Sequence, residues 1–442
     1  MILLAIFLLP LIVAFLLPFL PRYSGLVSLA SILVIAALTL SAYSIGESSS
    51  SLEDVWLMEF KRGWLYFALD GLSFVLLLTS QLLGALSLVT VWQNARQQMF
   101  LLLTLSGTIG LLLSIDLLAF FIFWEIMLLP TYFWVLSAGK EGKSFPVLQF
   151  IIFTQASGLL LLGSVVALLT LTGTTNLNQL LSIELSQAAE LWIASGFIIA
   201  FLIKFPIFPF HVWMPSLFAE SALGAIISGL LLKTGAYGFL RFVLPLFPKA
   251  SMQLSSLMMF LGAASVLYGA LLAFSQKNPA KVFAYSIISH AGLMLMGLFS
   301  DHQLALNGVI VLMVTQAIAT AGFMMSLNKH LGFSLFFAMA SLGLPGLGNF
   351  VGEWLLLFGL FQSYPQMAVL GSLSLILGAA YFLKMLTQIY YERREAMTSI
   401  SRMRFSACLS IAVLLLWIGL FPADLLDLTT QVWREDISRG AS

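Results

Sequence analysis

Runs of about twenty apolar residues, separated by short polar connections, recur along the whole chain. Each run is long enough to cross the ~30 Å hydrocarbon core of a bilayer as a helix. We predict fourteen membrane spans, at residues 1–20, 24–44, 71–93, 98–116, 117–137, 145–171, 190–213, 222–247, 255–275, 281–299, 303–327, 333–363, 367–390 and 405–421. The pair of spans that meets at 116 and 117 requires a tight turn at Asp116. The pattern therefore predicts an all-α, multi-pass integral membrane protein.

Two predicted spans contain residues that break helices. In "KFPIFPFHVWMP" (204–215), Pro206 and Pro209 follow Lys204 and remove backbone donors from the seventh span. In "LGLPGLGNFVGEW" (342–354), one proline and several glycines interrupt the twelfth span before Glu353. Unpaired backbone inside a membrane is tolerated only where protein or a water-filled cavity surrounds it. Both breaks therefore indicate a functional site.

The spacing of the two breaks predicts an internal repeat. They lie five spans apart, and because five is odd the two broken segments cross the membrane in opposite senses. This is typical of inverted repeats, here two repeats of five helices that each contain a discontinuous helix. We predict three N-terminal helices in 1–97, the first repeat in 98–248, the second repeat in 255–390, and a last helix with a tail in 391–442.

Composition and charge agree with a membrane protein. The chain is 60% hydrophobic and 9% charged, with a mean hydropathy of +1.03. Its single cysteine, Cys408, excludes a disulfide framework and Cys-ligated iron–sulfur clusters. The net charge of +1 predicts no nucleic-acid partner. Eleven Lys and Arg residues fall on loops of one side and five on the other, which predicts that both termini are non-cytoplasmic.

Six ionisable side chains within the predicted spans are the candidates for chemistry. A charge at the centre of a bilayer costs about 3 kcal/mol or more unless it is paired or hydrated. We therefore expect these residues to form a connected, hydrated chain that moves protons, in which Glu125 sets whether Lys204 keeps or releases its proton. The six residues are Glu125, Lys204, Lys233, His290, Glu353 and Lys384.

Each of these residues also has a structural interpretation. Glu125, Lys204 and Lys233 would pair with neighbouring helices, and His290 would be a satisfied core histidine. Glu353 would cap the second half of a broken helix, and Lys384 would extend toward the loop that begins at Glu392.

Two further ionisable residues are interpreted as structural. Arg241 lies near the end of a span and is expected to be interfacial. His211 is expected to hydrogen-bond backbone groups that the first break leaves free. We predict no metal site and no cofactor-binding residues.

Several motifs resemble a known family. They are "FFIFWEIMLLPTYF", "KFPIFPFHVWMP", "LLLKTGAYGFLRFVLPLFP", "FAYSIISHAGLMLMGL" and "SLGLPGLGNFVGEW". Together they are similar to the antiporter-like subunits of respiratory complex I, in particular the M-subunit or chain 4 branch of the NAD(P)H–quinone oxidoreductases. The resemblance covers about residues 60 to 425. The family also includes subunits of Mrp-type cation/proton antiporters, membrane-bound hydrogenases and inorganic-carbon uptake complexes.

The resemblance assigns roles to Glu125, Lys204, Lys233, His290 and Glu353, which match the positions of the family's proton-carrying residues. It implies a subunit that translocates protons, driven by electron transfer in other subunits, and that holds no redox cofactor and no catalytic site of its own. The implied partners are other membrane subunits, including similar antiporter-like ones, in a bacterial plasma membrane or a thylakoid membrane.

The chain departs from the family pattern at two sites. Gln316 stands where the family commonly has a histidine, and "WMPSLF" replaces "WLPDAH" after the first break. Two alternatives therefore stay open beside the complex I-like proton pump. One is a subunit of a Na⁺/H⁺ antiporter, a membrane hydrogenase or an ion-driven uptake complex. The other is a structural subunit whose channel is inactive.

Overall fold

The computed structural model describes residues 1–49, 58–63, 65–138, 145–220, 233–392 and 400–430. These residues are almost entirely helical. Up to the first break, the elements in chain order are α1 (Ile2–Leu16), a 3₁₀ turn (Leu17–Phe19), α2 (Ser24–Ser49), β1 (Met58–Arg62), β2 (Leu65–Leu69), α3 (Gly71–Thr90), α4 (Ala95–Leu113), α5 (Leu117–Ala138), α6 (Phe145–Thr172), α7 (Leu177–Leu180) and α8 (Gln187–Lys204).

The chain continues as a second series of helices. Residues 233–238 are helical and continue through a π-helical turn (Phe239–Val243) into a short helix at Leu244–Leu246. The helices of this series are α9 (Trp213–Glu220), α10 (Leu244–Leu246), α11 (Pro248–Ser275), α12 (Pro279–Leu298), α13 (Gln303–Ser326), α14 (Leu331–Ser341), α15 (Gly348–Ser363), α16 (Pro365–Glu392), α17 (Arg402–Leu420) and α18 (Ala423–Thr430).

Contacts between residues divide the chain into two compact units. The first unit consists of residues 1–204, 237–250 and 428–442, and the second of residues 205–236 and 251–427. The boundary falls directly after Lys204, at the first break. The predicted repeat boundaries at 98–248 and 255–390 are not tested by this division and stay predictions.

Eleven helices in the described part of the chain are long and apolar enough to cross a membrane. They account for every predicted span except the fourth, the eighth and the twelfth. The fourth corresponds to α4, whose first turn carries Arg96 and two glutamines and is therefore less apolar. Much of the eighth lies outside the described residues, and the twelfth is divided into α14 and α15. The total of fourteen stays a prediction.

The connection between α2 and α3 contains a hairpin that the sequence pattern did not predict. Strands β1 and β2 pair antiparallel, with Lys61 opposite Tyr66. The hydroxyl of Tyr66 donates to Oε2 of Glu59 at 2.6 Å. Burial and this carboxylate raise the pKa of Tyr66 to about 12, so the phenol keeps the proton that it donates.

The predicted tight turn at Asp116 is confirmed. Helix α4 ends at Leu113 and α5 begins at Leu117. Oδ1 of Asp116 accepts hydrogen bonds from the backbone N–H groups of Leu118 (2.9 Å) and Ala119 (3.2 Å). The carboxylate thus satisfies free donors in the first turn of α5, as an N-terminal cap does.

Arg241 is not interfacial, and that expectation is wrong. Its side chain is buried in the π-helical turn, and Nη2 lies 2.7 Å from Oδ1 of Asp70, the capping residue of α3. The hydroxyl of Tyr237 accepts from Nε at 3.0 Å, and Ser73 Oγ accepts from Nη2 at 3.0 Å. A buried guanidinium is stable here because a carboxylate and two hydroxyls accept its donors. Two of its acceptors, Asp70 and Ser73, lie at the start of α3, far away in sequence.

Three helices of the first unit position the first group of candidate residues. Helix α6 packs against both α5 and α8. Oγ of Ser157 on α6 donates to the carbonyl oxygen of Ala200 on α8 at 2.8 Å. Small residues at this contact let the two backbones approach closely, as is common between membrane helices.

Helix α13 forms the centre of the second unit, where residues 305–326 are all buried. It packs against α12, α14 and α15. The segment between α14 and α15 contains Gly343 and Gly346 at φ +81° and +91°, in the left-handed region that favours glycine. The predicted interruption of this span is therefore present, and these glycines allow the backbone to turn there.

Candidate functional site

Lys204 is the last residue of α8, and its side chain is fully buried. Its Nζ atom lies 4.3 Å from the centre of the Trp124 ring on α5. It has no hydrogen-bond partner among the described residues. A cation is favoured at the C-terminal end of a helix and over an aromatic face. The surroundings therefore tolerate a charge on Lys204 and leave its N–H donors free.

Glu125 follows Trp124 on α5 and is half-buried. Its Oε2 atom accepts a hydrogen bond from Nε2 of Gln155 on α6 at 3.1 Å, and its Oε1 atom has no hydrogen-bond partner in the described part of the chain. No ion pair joins Glu125 to Lys204 in the described structure. The two side chains are nevertheless near enough to interact electrostatically. The predicted proximity is present, whereas direct pairing is not.

The backbone of the first break is satisfied by a residue that the sequence reasoning missed. The N–H of Phe208 donates to Oγ of Ser265 on α11 at 2.9 Å. The expectation for His211 is wrong, because its ring packs against Phe208 and Tyr268 and its Nδ1 atom has no partner among the described residues. An isolated serine in an apolar helix is a weak signal for such a contact.

Replacing Ser265 by alanine is expected to leave this N–H unsatisfied. The loss should lower the free energy of unfolding by about 1–3 kcal/mol. The thermal unfolding midpoint of the purified protein measures the effect. Ser255→Ala is the matched control, because Ser255 is a partly exposed residue of the same helix whose hydroxyl donates to the carbonyl oxygen of Met252. Equal midpoints for the two variants would contradict the assignment.

Lys233 belongs to the second unit and lines a small cavity there. The cavity has a volume of about 30 Å³, and its polar lining residues are Lys233, Gln316 and Thr320. Nζ of Lys233 and Nε2 of Gln316 have no hydrogen-bond partner in the described residues. Most of the cavity lining is apolar, so the Lys233 amine, the Gln316 amide and the Thr320 hydroxyl are its few polar groups. The Lys233 amine thus borders an enclosed space without a hydrogen-bond partner in the described part of the chain.

Gln316 connects this cavity to the second break. Its Oε1 atom accepts a hydrogen bond from Nδ2 of Asn349 on α15. Asn349 lies four residues, or about one helical turn, before Glu353. The amides of Gln316 and Asn349 do not titrate, so they orient neighbouring groups and store no proton.

His290 on α12 and Glu353 on α15 form a buried pair. Nε2 of His290 lies 2.9 Å from Oε1 of Glu353, and Nδ1 lies 2.7 Å from the carbonyl oxygen of Ser286. Because a carbonyl oxygen only accepts, Nδ1 carries a proton. One further proton then lies between Nε2 and Oε1, on the ring or on the carboxyl group. The pair therefore shares one proton between the imidazole ring and the carboxyl group.

Lys384 occupies a different environment. Its Nζ atom donates to the carbonyl oxygen of Phe274 at 2.7 Å and lies 4.5 Å from the centre of that ring. Phe274 is the next-to-last residue of α11, so Lys384 satisfies the C-terminal end of a helix. This contact favours the structural interpretation of Lys384.

The structure thus arranges the six predicted residues in two groups and one outlier. Glu125 and Lys204 are neighbours in the first unit. In the second unit, His290 and Glu353 are in contact and Lys233 lies on a cavity. Gln155, Ser265 and Asn349 complete these arrangements and were not predicted. Asn349 had a readable signal, since it shares a helix face with Glu353.

Comparison with known proteins gives consistent matches. The family model described as "NADH:quinone oxidoreductase/Mrp antiporter, TM" matches residues 114–331. The curated protein NADH-quinone oxidoreductase subunit M from Pseudomonas aeruginosa is 36% identical, over 93% of this chain and 91% of its own length.

Two solved structures share the architecture. A chain of respiratory complex I from Thermus thermophilus with bound NADH superposes with a TM-score of 0.87 at 29% identity, covering 97% of this chain and 98% of that one. A chain of the Mrp complex from Dietzia sp. DQ12-45-1b superposes with a TM-score of 0.84 at 19% identity, covering 98% of both chains. At that lower identity the second match concerns the fold alone.

Proposed function

Because this chain belongs to the NADH-quinone oxidoreductase subunit M family, we propose that it is a proton-translocating membrane subunit of a complex I-like oxidoreductase. Electron transfer takes place in partner subunits, and this chain contributes the proton path and no redox cofactor. The single observation that best supports the proposal is Lys204, a fully buried amine without a hydrogen-bond partner in the described residues.

The environment of Lys204 favours a titrating role over a structural one. A buried charge that only stabilises the fold is normally paired and hydrogen-bonded, because desolvating an unpaired ion costs several kcal/mol. Among the described residues Lys204 has neither kind of partner, so its protonated state depends on charge nearby. The half-buried carboxylate of Glu125 supplies that charge. Neutralising Glu125 would then release the proton from Lys204.

The second unit contains the other two proton-storing elements of the proposed path. Lys233 borders the cavity that Gln316 and Thr320 also line, and we propose that it takes up and releases its proton there. The His290–Glu353 pair holds one proton. We propose that the two groups act in series, with Gln316 and Asn349 orienting water between Lys233 and Glu353. The outward placement of both termini, inferred from the loop charges, is part of the same proposal.

An antiporter subunit without redox coupling is the alternative function, because the matching family model also covers Mrp antiporters. Purifying the tagged chain with its partners in mild detergent separates the two functions. Copurification of NADH:quinone oxidoreductase activity would support the proposal. A purified assembly that exchanges Na⁺ for H⁺ and has no NADH oxidation would favour the alternative.

The proton path itself is tested by replacing Glu125 with glutamine in that assembly. Glutamine keeps the oxygen that accepts from Gln155 and removes the titratable group. We expect NADH-driven acidification of proteoliposomes to fall roughly tenfold, because general acid–base residues contribute at least this much. Full pumping by the Glu125→Gln assembly would refute the proposed path.

A further inference from the structure

Two glycines face the carboxyl groups of the two acids in the proposed path. We propose that Gly158 and Gly343 are positioning residues, whose missing side chains leave the space that the carboxylates of Glu125 and Glu353 occupy. The inference rests on the proposed function, because it concerns how the two acids are held for proton transfer. Gly158 lies outside the quoted motifs, and Gly343 lies in the second break, where the sequence pattern gives it no role toward the carboxyl group of Glu353.

Gly158 lies on α6, across from Glu125 on α5. A methyl group added at Gly158 would lie 3.0 Å from Cδ of Glu125 and collide with Oε1. Oε1 is buried and has no hydrogen-bond partner in the described chain, whereas Oε2 is held by Gln155. Gln155 precedes Gly158 by three residues on the same helix. One face of α6 therefore anchors one oxygen and leaves space for the other.

Gly343 has the same relation to Glu353 in the second unit. A methyl group at Gly343 would lie 3.1 Å from Cδ of Glu353 and collide with Oε2. Oε2 is buried without a hydrogen-bond partner in the described residues, whereas Oε1 contacts His290 at 2.9 Å. Glu353 is 1% exposed, so this space is enclosed by protein. Again one oxygen is held and the other faces a glycine.

This arrangement suits a carboxyl group that accepts and releases protons. One oxygen fixes the orientation of the group through a single hydrogen bond. The other oxygen stays free of a protein donor that would compete for it. A methyl group at either glycine would push the free oxygen away and rotate the fixed one off its partner. Displacement by about 1 Å is enough to slow proton transfer strongly.

The chain offers a matched control for each glycine. Gly163 lies on the same helix as Gly158, and a methyl group there has no heavy atom within 4 Å. Gly346 lies in the same break as Gly343, has a similar positive φ of +91°, and also has open space around an added methyl group. Gly163→Ala reproduces the gain in helix propensity, and Gly346→Ala reproduces the backbone strain. Neither control displaces a carboxyl group.

The first experiment compares Gly158→Ala with Gly163→Ala in the assembled complex reconstituted in proteoliposomes. We expect NADH-driven proton pumping to fall roughly tenfold in Gly158→Ala and to stay near the unsubstituted level in Gly163→Ala. Difference infrared spectroscopy should show a shifted carboxyl band in Gly158→Ala alone. Equal pumping and equal spectra in the two variants would overturn the role of Gly158.

A size exchange separates positioning from misfolding. Shortening Glu125 to aspartate gives back the space that Gly158→Ala removes. We expect Gly158→Ala/Glu125→Asp to pump better than Gly158→Ala, whereas Glu125→Asp alone pumps worse than the unsubstituted chain. A double variant that loses the product of the two single losses would contradict the inference. The inference would also be contradicted if Gly158→Ala failed to assemble and the added Glu125→Asp substitution did not restore assembly.

The same comparison applies to Gly343→Ala and Gly346→Ala, with Glu353→Asp as the size exchange. Glu125→Gln separates failure of this inference from failure of the proposed function. If Glu125→Gln pumps normally, the proton path is wrong. If Glu125→Gln is inactive and each glycine variant equals its control, the path stands and the positioning role of the glycines is wrong.

Discussion

Replacing Lys204 by methionine is expected to lower NADH-driven proton pumping of the assembled complex by about 10- to 100-fold. Methionine fills a similar volume and packs against Trp124, so the fold is preserved while the titratable amine is lost. The measurement is acidification of proteoliposomes, normalised to the amount of assembled complex on a native gel.

Two further variants define the cause of that loss. Lys204→Arg keeps a cation at the end of α8, but arginine does not release its proton, so pumping should also fail. Lys277→Met removes an exposed surface lysine and should leave pumping unchanged. Normal pumping in Lys204→Arg would show that charge alone suffices and would contradict a proton-carrying role.

Replacing Glu353 by glutamine is expected to abolish most pumping while the complex still assembles. The side-chain amide of glutamine can donate to Nε2 of His290, so the contact is kept. The mobile proton of the pair is lost, because the amide does not titrate. We expect a loss of about 10- to 100-fold in proteoliposome acidification.

Replacing Glu353 by alanine is expected to affect stability and assembly as well as pumping. Glu353→Ala removes the partner of His290 and opens a space in the core, which should cost about 3–5 kcal/mol and reduce assembly. Glu190→Gln is the control for replacing a buried glutamate. Oε1 of Glu190 only accepts from the N–H of Ala250 at 2.9 Å, and glutamine keeps that acceptor. If Glu190→Gln and Glu353→Gln lost pumping equally, the effect would not be specific to the His290–Glu353 pair.

The helix breaks were predictable because their causes are local. Proline and glycine alter the backbone at their own positions, so 204–215 and 342–354 could be identified directly from the residues. The turn at Asp116 was predictable for the same reason, since a capping carboxylate acts within three residues. The hairpin at 58–69 was missed because its strands are short and one partner strand is polar.

The errors concern residues whose partners are distant in sequence. By position alone, Arg241 near the end of a span fits an interfacial site. Its guanidinium is buried because it donates to Asp70, which lies 171 residues earlier in the chain. His211 is close to free backbone, yet Ser265 on another helix satisfies the N–H of Phe208. Lys384 was predicted with two interpretations, the proton path and a structural contact, and only the tertiary structure shows the bond to the carbonyl oxygen of Phe274 that favours the structural one.

The amino-acid sequence by itself determined that this chain is a multi-pass membrane protein with titratable residues next to two broken helices. Hydropathy and backbone-breaking residues act within a single span, so the spans and their breaks can be predicted from the order of residues along the chain. Only the tertiary structure decided that Glu125 faces Gly158, that Glu353 faces both His290 and Gly343, and that Lys233 lies on a cavity. Such contacts depend on which helix faces pack together, and in a chain this uniformly apolar the pattern along each helix does not specify its neighbour.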